Sequence, residues 1–237
     1  MTCRGNAYLV VLLAAAAIML SVPALGAASS GGGGLSGSSS TSSASSGNGR
    51  VSASAGGTTI TTSASGFLER QITFSGNTDP SNAGRTIEIE RSGHQTGWAW
   101  SPTVQTRIRS DGSFSVAWRA NHIGQFGIRA VIARGGPGGA AADAWPTVTM
   151  IVYRPAVATW YGPGSWGSTT ACGVVLHHNT LGVAHRTLPC GTKVAVYYHG
   201  RSMVVPVIDR GPYGNADWDL TQAAARQLGM ESAGRAT

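Results

Sequence analysis

The residues best placed to do chemistry close an apolar run, Met203-Val-Val-Pro-Val-Ile-Asp209-Arg-Gly-Pro-Tyr213. Strand side chains alternate faces, so Met203, Val205, Val207 and Asp209 share one face, and Val204, Pro206, Ile208 and Arg210 the other. Apolar residues at both parities predict a strand buried on both faces, as in a closed barrel or a covered sheet. Asp209 is where that strand surfaces, on a rigid element and ahead of a Gly-Pro turn. A carboxyl group there, preceded on its face by Val205 and Val207, has the partly desolvated setting that keeps an acid protonated near neutral pH. That is what general acid catalysis requires.

Two cysteines lie nearby, Cys172 and Cys190, and the third, Cys3, sits ahead of an apolar stretch at the start of the chain. Arg4, the apolar run Ala7 to Leu20 and the small residues Ala24-Leu-Gly26 read as a secretory signal over 1–26. Removing it leaves an even cysteine count in an exported protein, and hence an expected Cys172–Cys190 disulfide. Closing that loop of roughly 19 residues would add about 3 kcal/mol on the chain-entropy model. His177, His178, His185 and His199 lack the paired-cysteine spacing of a zinc site. No metal or cofactor is expected.

The elements that must carry these residues fall into two domains. Residues 27–50 are mostly Gly and Ser and read as a flexible linker. From 51 to 154 short strands repeat: Ile87 and Ile89; Phe114, Val116 and Trp118; Phe126, Ile128, Ala130 and Ile132; Val148, Met150 and Val152. Asp111-Gly112 reads as a hairpin turn between Thr106–Arg109 and Ser113–Trp118. About seven such strands predict an antiparallel β-sandwich. Trp98 and Trp100 could present rings to sugars, although packing is the commoner fate of tryptophan. Arg154-Pro155 ends the pattern. In the second domain, 156–231, Lys193–Tyr198 and Arg201–Ile208 form a hairpin across His199-Gly200. Asp219, with Gln222 three residues on, reads as the cap of a short helix stopped by Gly229.

The net charge is +7 and the isoelectric point near 9.9, yet the 17 basic residues, all arginine except Lys193, form no cluster. That pattern argues against a nucleic-acid partner and suits loose attraction to an anionic envelope.

Five ordered blocks carry a family pattern: Ala158-Thr-Trp-Tyr-Gly162, Thr170-Ala-Cys-Gly173, Asn179 to Gly191, Val207-Ile-Asp-Arg-Gly-Pro-Tyr213 and Asp219-Leu-Thr-Gln-Ala-Ala-Ala225. Together they resemble the rare lipoprotein A (RlpA)-like double-psi β-barrel family, whose relatives include septal lytic transglycosylases, expansins and barrel endoglucanases. This resemblance covers Ala158 to Met230 and implies a six-stranded double-psi barrel with a short C-terminal helix. The stretches Ala83–Arg91, Trp98–Trp100 and Gly127–Ala130 separately resemble immunoglobulin-like modules of secreted bacterial proteins, so that an all-β chain with an immunoglobulin-like β-sandwich ahead of the barrel is expected. The barrel resemblance also implies action on peptidoglycan glycan or a related wall polysaccharide, with Asp209 as the catalytic acid/base. Thr159 and Tyr161 match groove positions that hold sugar, His185 matches a recurring histidine near the groove, and Tyr213 and Asp217 complete the expected substrate contacts. This sequence departs from the pattern at Val174, where the family carries a glutamate, and at His177, where a further acid is expected. That loss leaves a non-cleaving, expansin-like module as the alternative. A secreted monomer without a stable membrane anchor is expected.

Overall fold

The computed structural model describes residues 7–11, 49–133, 145–233 and 235–236. The Gly/Ser stretch 27–48 and most of the signal segment lie outside the described residues. After β1 (Ala7–Val11), the first domain holds nine strands where the alternation predicted about seven. They are β2 (Arg50–Ala55), β3 (Thr58–Ser63), β4 (Ser65–Phe67), β5 (Gln71–Asn77) and β6 (Thr86–Ser92). Then follow β7 (Ser101–Arg107), β8 (Ser113–Arg119), β9 (Gly124–Ile132) and β10 (Thr147–Pro155).

These strands form two facing sheets, β2-β3-β5-β8 and β10-β9-β6-β7, with β4 added parallel to β10. Ile60, Phe74, Phe114 and Trp118 from one sheet meet Ile87, Ile89, Phe126, Ile128 and Met150 from the other in a single buried core. The inward residues are those the alternation marked, because burial of one face per sheet selects every second side chain.

Asp111-Gly112 makes a turn, but not the expected hairpin. Arg109 and Ser113 bond across it. β7 nevertheless pairs β6 in one sheet, and β8 pairs β5 in the other. Gly112 is pressed onto the Thr78 carbonyl, where a Cβ would sit 2.2 Å from the oxygen, and its φ is 81°. The turn therefore passes the chain between layers.

The second domain contains β11 (Ala158–Tyr161), β12 (Val183–Ala184), β13 (Lys193–Tyr198), β14 (Arg201–Asp209), β15 (Trp218–Thr221), α1 (Gln222–Leu228) and β16 (Arg235–Ala236). Its six strands run in the order β16-β11-β15-β12-β14-β13. The pairs β11/β15 and β12/β14 are parallel and the other neighbours antiparallel. The sheet curls around Ala158, Val183, Val194, Val196, Val205, Val207, Trp218 and Leu220, and α1 covers this core with Ala224, Ala225 and Leu228.

β14 is covered on both faces only near its end. Val205 and Val207 are fully buried, but Val204 on the opposite face is 53% exposed. Ile208 is buried because Gly182 brings the neighbouring backbone down onto it; a Cβ at Gly182 would lie 2.5 Å from Ile208. The helix also begins differently from the expectation. Thr221, not Asp219, is the N-cap, accepting from the Ala224 amide at 3.3 Å, and Gly229 ends the helix in the left-handed conformation.

The domains meet through aromatic side chains. Tyr197 on β13 packs 5.4 Å from Tyr153 on β10 and 5.7 Å from Phe67 on β4, ring centre to ring centre. The Tyr153 hydroxyl also bonds Ser202. β1, inside the segment read as a signal, pairs with both β10 and β13. The aromatic contact is made by residues that remain once such a segment is removed.

Gly182→Ala should force Ile208 outward and cost about 1–3 kcal/mol, the usual penalty of overpacking. Denaturant unfolding with an unchanged midpoint would show that the β12/β14 contact tolerates a methyl group.

Candidate functional site

The site is built by one cross-strand row. Residues opposite one another in a sheet project to the same side. Thr159 is opposite Asp219, Asp219 is opposite Ala184, and Ala184 is opposite Asp209. Their neighbours Ala158, Trp160, Trp218, Leu220, Val183 and Val207 fill the barrel core instead. Asp209 joins this row because the β12/β14 register shifts between Val183 and Ala184: Val183 is opposite Val207, and Ala184 is opposite Asp209. Strict alternation would have left Asp209 on the side of Val205 and Val207. The irregularity turns it to the other side, a recurrent use of bulges beside functional sites.

Two carboxyl groups thus lie on strands one apart, with only the methyl of Ala184 between them in the row. Two strand spacings put their Cα atoms about 10 Å apart. Asp219 accepts a 2.7 Å bond from the Thr159 hydroxyl. Burial raises its pKa above the ordinary carboxylate range and the charge of Asp209 adds to the rise, while the Thr159 bond works against them.

Asp209 is fixed by backbone. Its Oδ1 accepts from the amides of Ala171, at 2.9 Å, and Arg210, at 2.8 Å. Ala171 is held in turn by the Cys172–Cys190 disulfide, which ties the Thr170–Gly173 turn to the turn that follows Leu188. Arg210 clamps the second of these turns, donating to the carbonyls of His185 and Leu188 and to Cys190 Sγ. It is a structural cation, turned away from the acid.

Beside Asp209 lies a cavity of about 180 Å³ lined by Tyr161, Ser165, Ser168, Thr169, Thr170, Ala171 and Leu176. Hydroxyls dominate the wall, a surface suited to a polyhydroxylated ligand. The Tyr161 hydroxyl is buried without a partner in hydrogen-bonding geometry. Burial and then the charges of Asp209 and Asp219 raise its pKa, so it stays a phenol and a donor.

The remaining expected contacts are dispersed. The His185 ring packs at a tilt against Trp218, 4.4 Å between centres, and its Nδ1 accepts from the amides of Thr187 and Leu188. The neutral ring therefore carries its proton on Nε2. Burial and then Arg186, Arg154 and Arg210 hold its pKa below the usual value. Asp217 accepts from the Val157 amide at 2.8 Å and anchors the start of β11. Tyr213 is 83% exposed, and Arg186 fastens the loop around it through the carbonyls of Pro212, Gly214 and Ala216. Val174 and His177 supply no acid to the cavity wall. Among the described residues no group of three or more His, Cys, Asp or Glu side chains is placed to hold a metal ion.

Asp219 is the residue that the helix-cap reading obscured. A signal for it exists: Trp218-Asp-Leu-Thr221 alternates apolar and polar residues with the period of a strand.

Residues 155–237 match a family model described as "Lytic transglycolase". The chain is also similar to curated proteins named as peptidoglycan transglycosylases. The "Probable endolytic peptidoglycan transglycosylase RlpA" of Synechocystis sp. is 45% identical over 95 residues, covering 39% of this chain and 29% of that protein. The "Endolytic peptidoglycan transglycosylase RlpA" of Campylobacter jejuni is 40% identical over 96 residues, 39% of this chain and 35% of that protein. That of Aquifex aeolicus, named as probable, is 42% identical over 81 residues, 33% and 36% of the two chains. The chain spans about a third of the length of these relatives.

Because folding holds Asp219 above its ordinary pKa, ionising it costs stability, and the stability it confers is lost as pH rises through the folded-state value. Asp219→Asn should therefore raise the melting temperature at pH 7, and the gain should vanish as pH falls below about 4. A variant that melts lower than the parent at pH 7 would contradict the buried-acid assignment.

Proposed function

We propose that the RlpA-like double-psi barrel at residues 155–237 acts on the glycan strands of peptidoglycan outside the cytoplasm, cleaving them by a lytic transglycosylase reaction. The observation that carries this reading is the Asp209–Asp219 pair, set across Ala184 and beside a hydroxyl-lined cavity. The names of the relatives supply the substrate class, and the 1–26 signal reading supplies export.

The pair works as a unit. Burial, and then the charge of Asp209 across Ala184, favour the protonated form of Asp219 and keep a proton at the site. Asp209, on the cavity wall, meets the glycosidic oxygen and delivers that proton as the C1–oxygen bond breaks. The sugar's own C6 hydroxyl attacks C1 to form the 1,6-anhydro ring, and its proton returns to the pair. Atoms balance without water, and the nucleophile is already held by the substrate, which is why a water-placing second acid is dispensable. Tyr161 donates to sugar or carboxylate, and Thr159 orients Asp219.

Val174, standing where the family carries a glutamate, favours a second reading, an expansin-like barrel that binds or loosens wall glycan without cutting it.

Digestion of purified sacculi separates the two. On the first reading soluble anhydro-muropeptides appear, and Asp209→Asn lowers their release by about 10²–10⁴-fold, the usual contribution of general acid–base catalysis. Unchanged release by Asp209→Asn, or reducing rather than anhydro ends, would overturn the transglycosylase assignment. Sedimentation with sacculi and no released product would establish the non-cleaving reading.

A further inference from the structure

The sandwich carries two exposed tryptophans in the loop that leads into β7. Trp98 is 54% exposed and Trp100 36%. Trp98 adopts a φ of 66°, a left-handed conformation that non-glycine residues rarely take and that is retained where surroundings enforce it. The loop enforces it here. The Trp98 amide donates to the Gly93 carbonyl, its carbonyl accepts from the Ser92 hydroxyl at 2.7 Å, and the Thr96 hydroxyl donates to the Ala99 carbonyl at 2.7 Å. In this brace Trp98 stays 54% exposed, its backbone held in one conformation by the loop.

Trp100 is fixed by different means. It lies against Gly127 of β9, where a Cβ would come within 3.2 Å of its ring. The Arg129 guanidinium sits 4.4 Å from its ring centre and is itself held by Glu90 at 2.6 Å. In the same loop the Gln95 amide nitrogen is buried without a hydrogen-bond partner among the described residues.

We propose that the outer face of the sandwich around Trp98 and Trp100 is a second glycan-binding site, which keeps the barrel on its polymeric substrate. The inference rests on the proposed action of the barrel on wall glycan. Pre-set rings stack on the C–H faces of pyranose sugars, and the partly exposed Arg129–Glu90 pair beside them can meet hydroxyl or acetamido groups. Two rings bordered by charged and polar side chains form too small an apolar area for a stable protein interface, which needs about 800 Å² per partner. A sugar unit is the better fit.

The test uses the full chain with Asp209→Asn as background, so that sacculi stay intact during sedimentation binding. Trp98→Gly suits the left-handed backbone, so it should leave the melting temperature unchanged or raise it while weakening sacculus binding on the order of tenfold; Trp100→Ala should weaken binding similarly. Unchanged affinity in both variants overturns the site. Weaker binding that follows a fall in melting temperature, and is absent from Trp98→Asn, overturns it too, as does a change from dimer to monomer on removing either ring. Product release by the same tryptophan variants with Asp209 restored is scored separately. If Asp209 proves dispensable for cleavage, the barrel reading fails while the binding result still decides the sandwich site.

Discussion

The charge of Asp209, parted from Asp219 by a single alanine on one face of the sheet, adds to burial in disfavouring ionisation of Asp219. That repulsion sets the terms for the rest of the barrel. It has to be opposed by rigid connections, because a flexible strand end would let Asp209 swing away into water. The chain supplies them from several directions: the β12/β14 register shift, two backbone amides on Asp209 Oδ1 and the Thr159 hydroxyl on Asp219. Thr159 and Asp219 belong to strands separated by about 60 residues in sequence, which ties the beginning of the barrel to its end.

The disulfide acts on the same constraint. It does not touch either carboxyl, yet it joins the turn that donates the Ala171 amide to the turn that Arg210 clamps. A loop free to fray would lose the donor on Asp209 and the cavity wall at once, since Thr169, Thr170 and Ala171 all line that cavity. Covalent closure of a small loop is an economical remedy where few apolar side chains are present to hold it. On the other side of the barrel, the Phe67, Tyr153 and Tyr197 cluster fixes the sandwich against β13. This gives the two proposed glycan contacts a common frame.

Much of this was legible in the amino-acid sequence, and the failures have physical causes. Period-two alternation marked the sandwich core because each of its sheets buries one face, and the β13/β14 hairpin followed from His199-Gly200 between two apolar runs. Cys172 and Cys190 pair as compartment and parity implied. Asp219 was misread because an acid three residues before a glutamine looks like a cap, while the true cap, Thr221, is itself the last strand residue. The side chosen by Asp209 was hidden because one register shift reverses parity, and no local residue type announces it. Asp111-Gly112 misled for a related reason: turn chemistry fixes a local reversal, whereas the sheet that receives each strand is decided by the distant core.

The coupling between the two acids is the claim on which the chemistry stands, and carboxyl-carbon NMR titration addresses it directly. In the parent protein the Asp219 side-chain signal should titrate above the usual carboxylate range, and replacing Asp209 with asparagine should move its midpoint down. An Asp219 midpoint at the ordinary value, or one indifferent to the charge at position 209, would contradict a proton-holding pair.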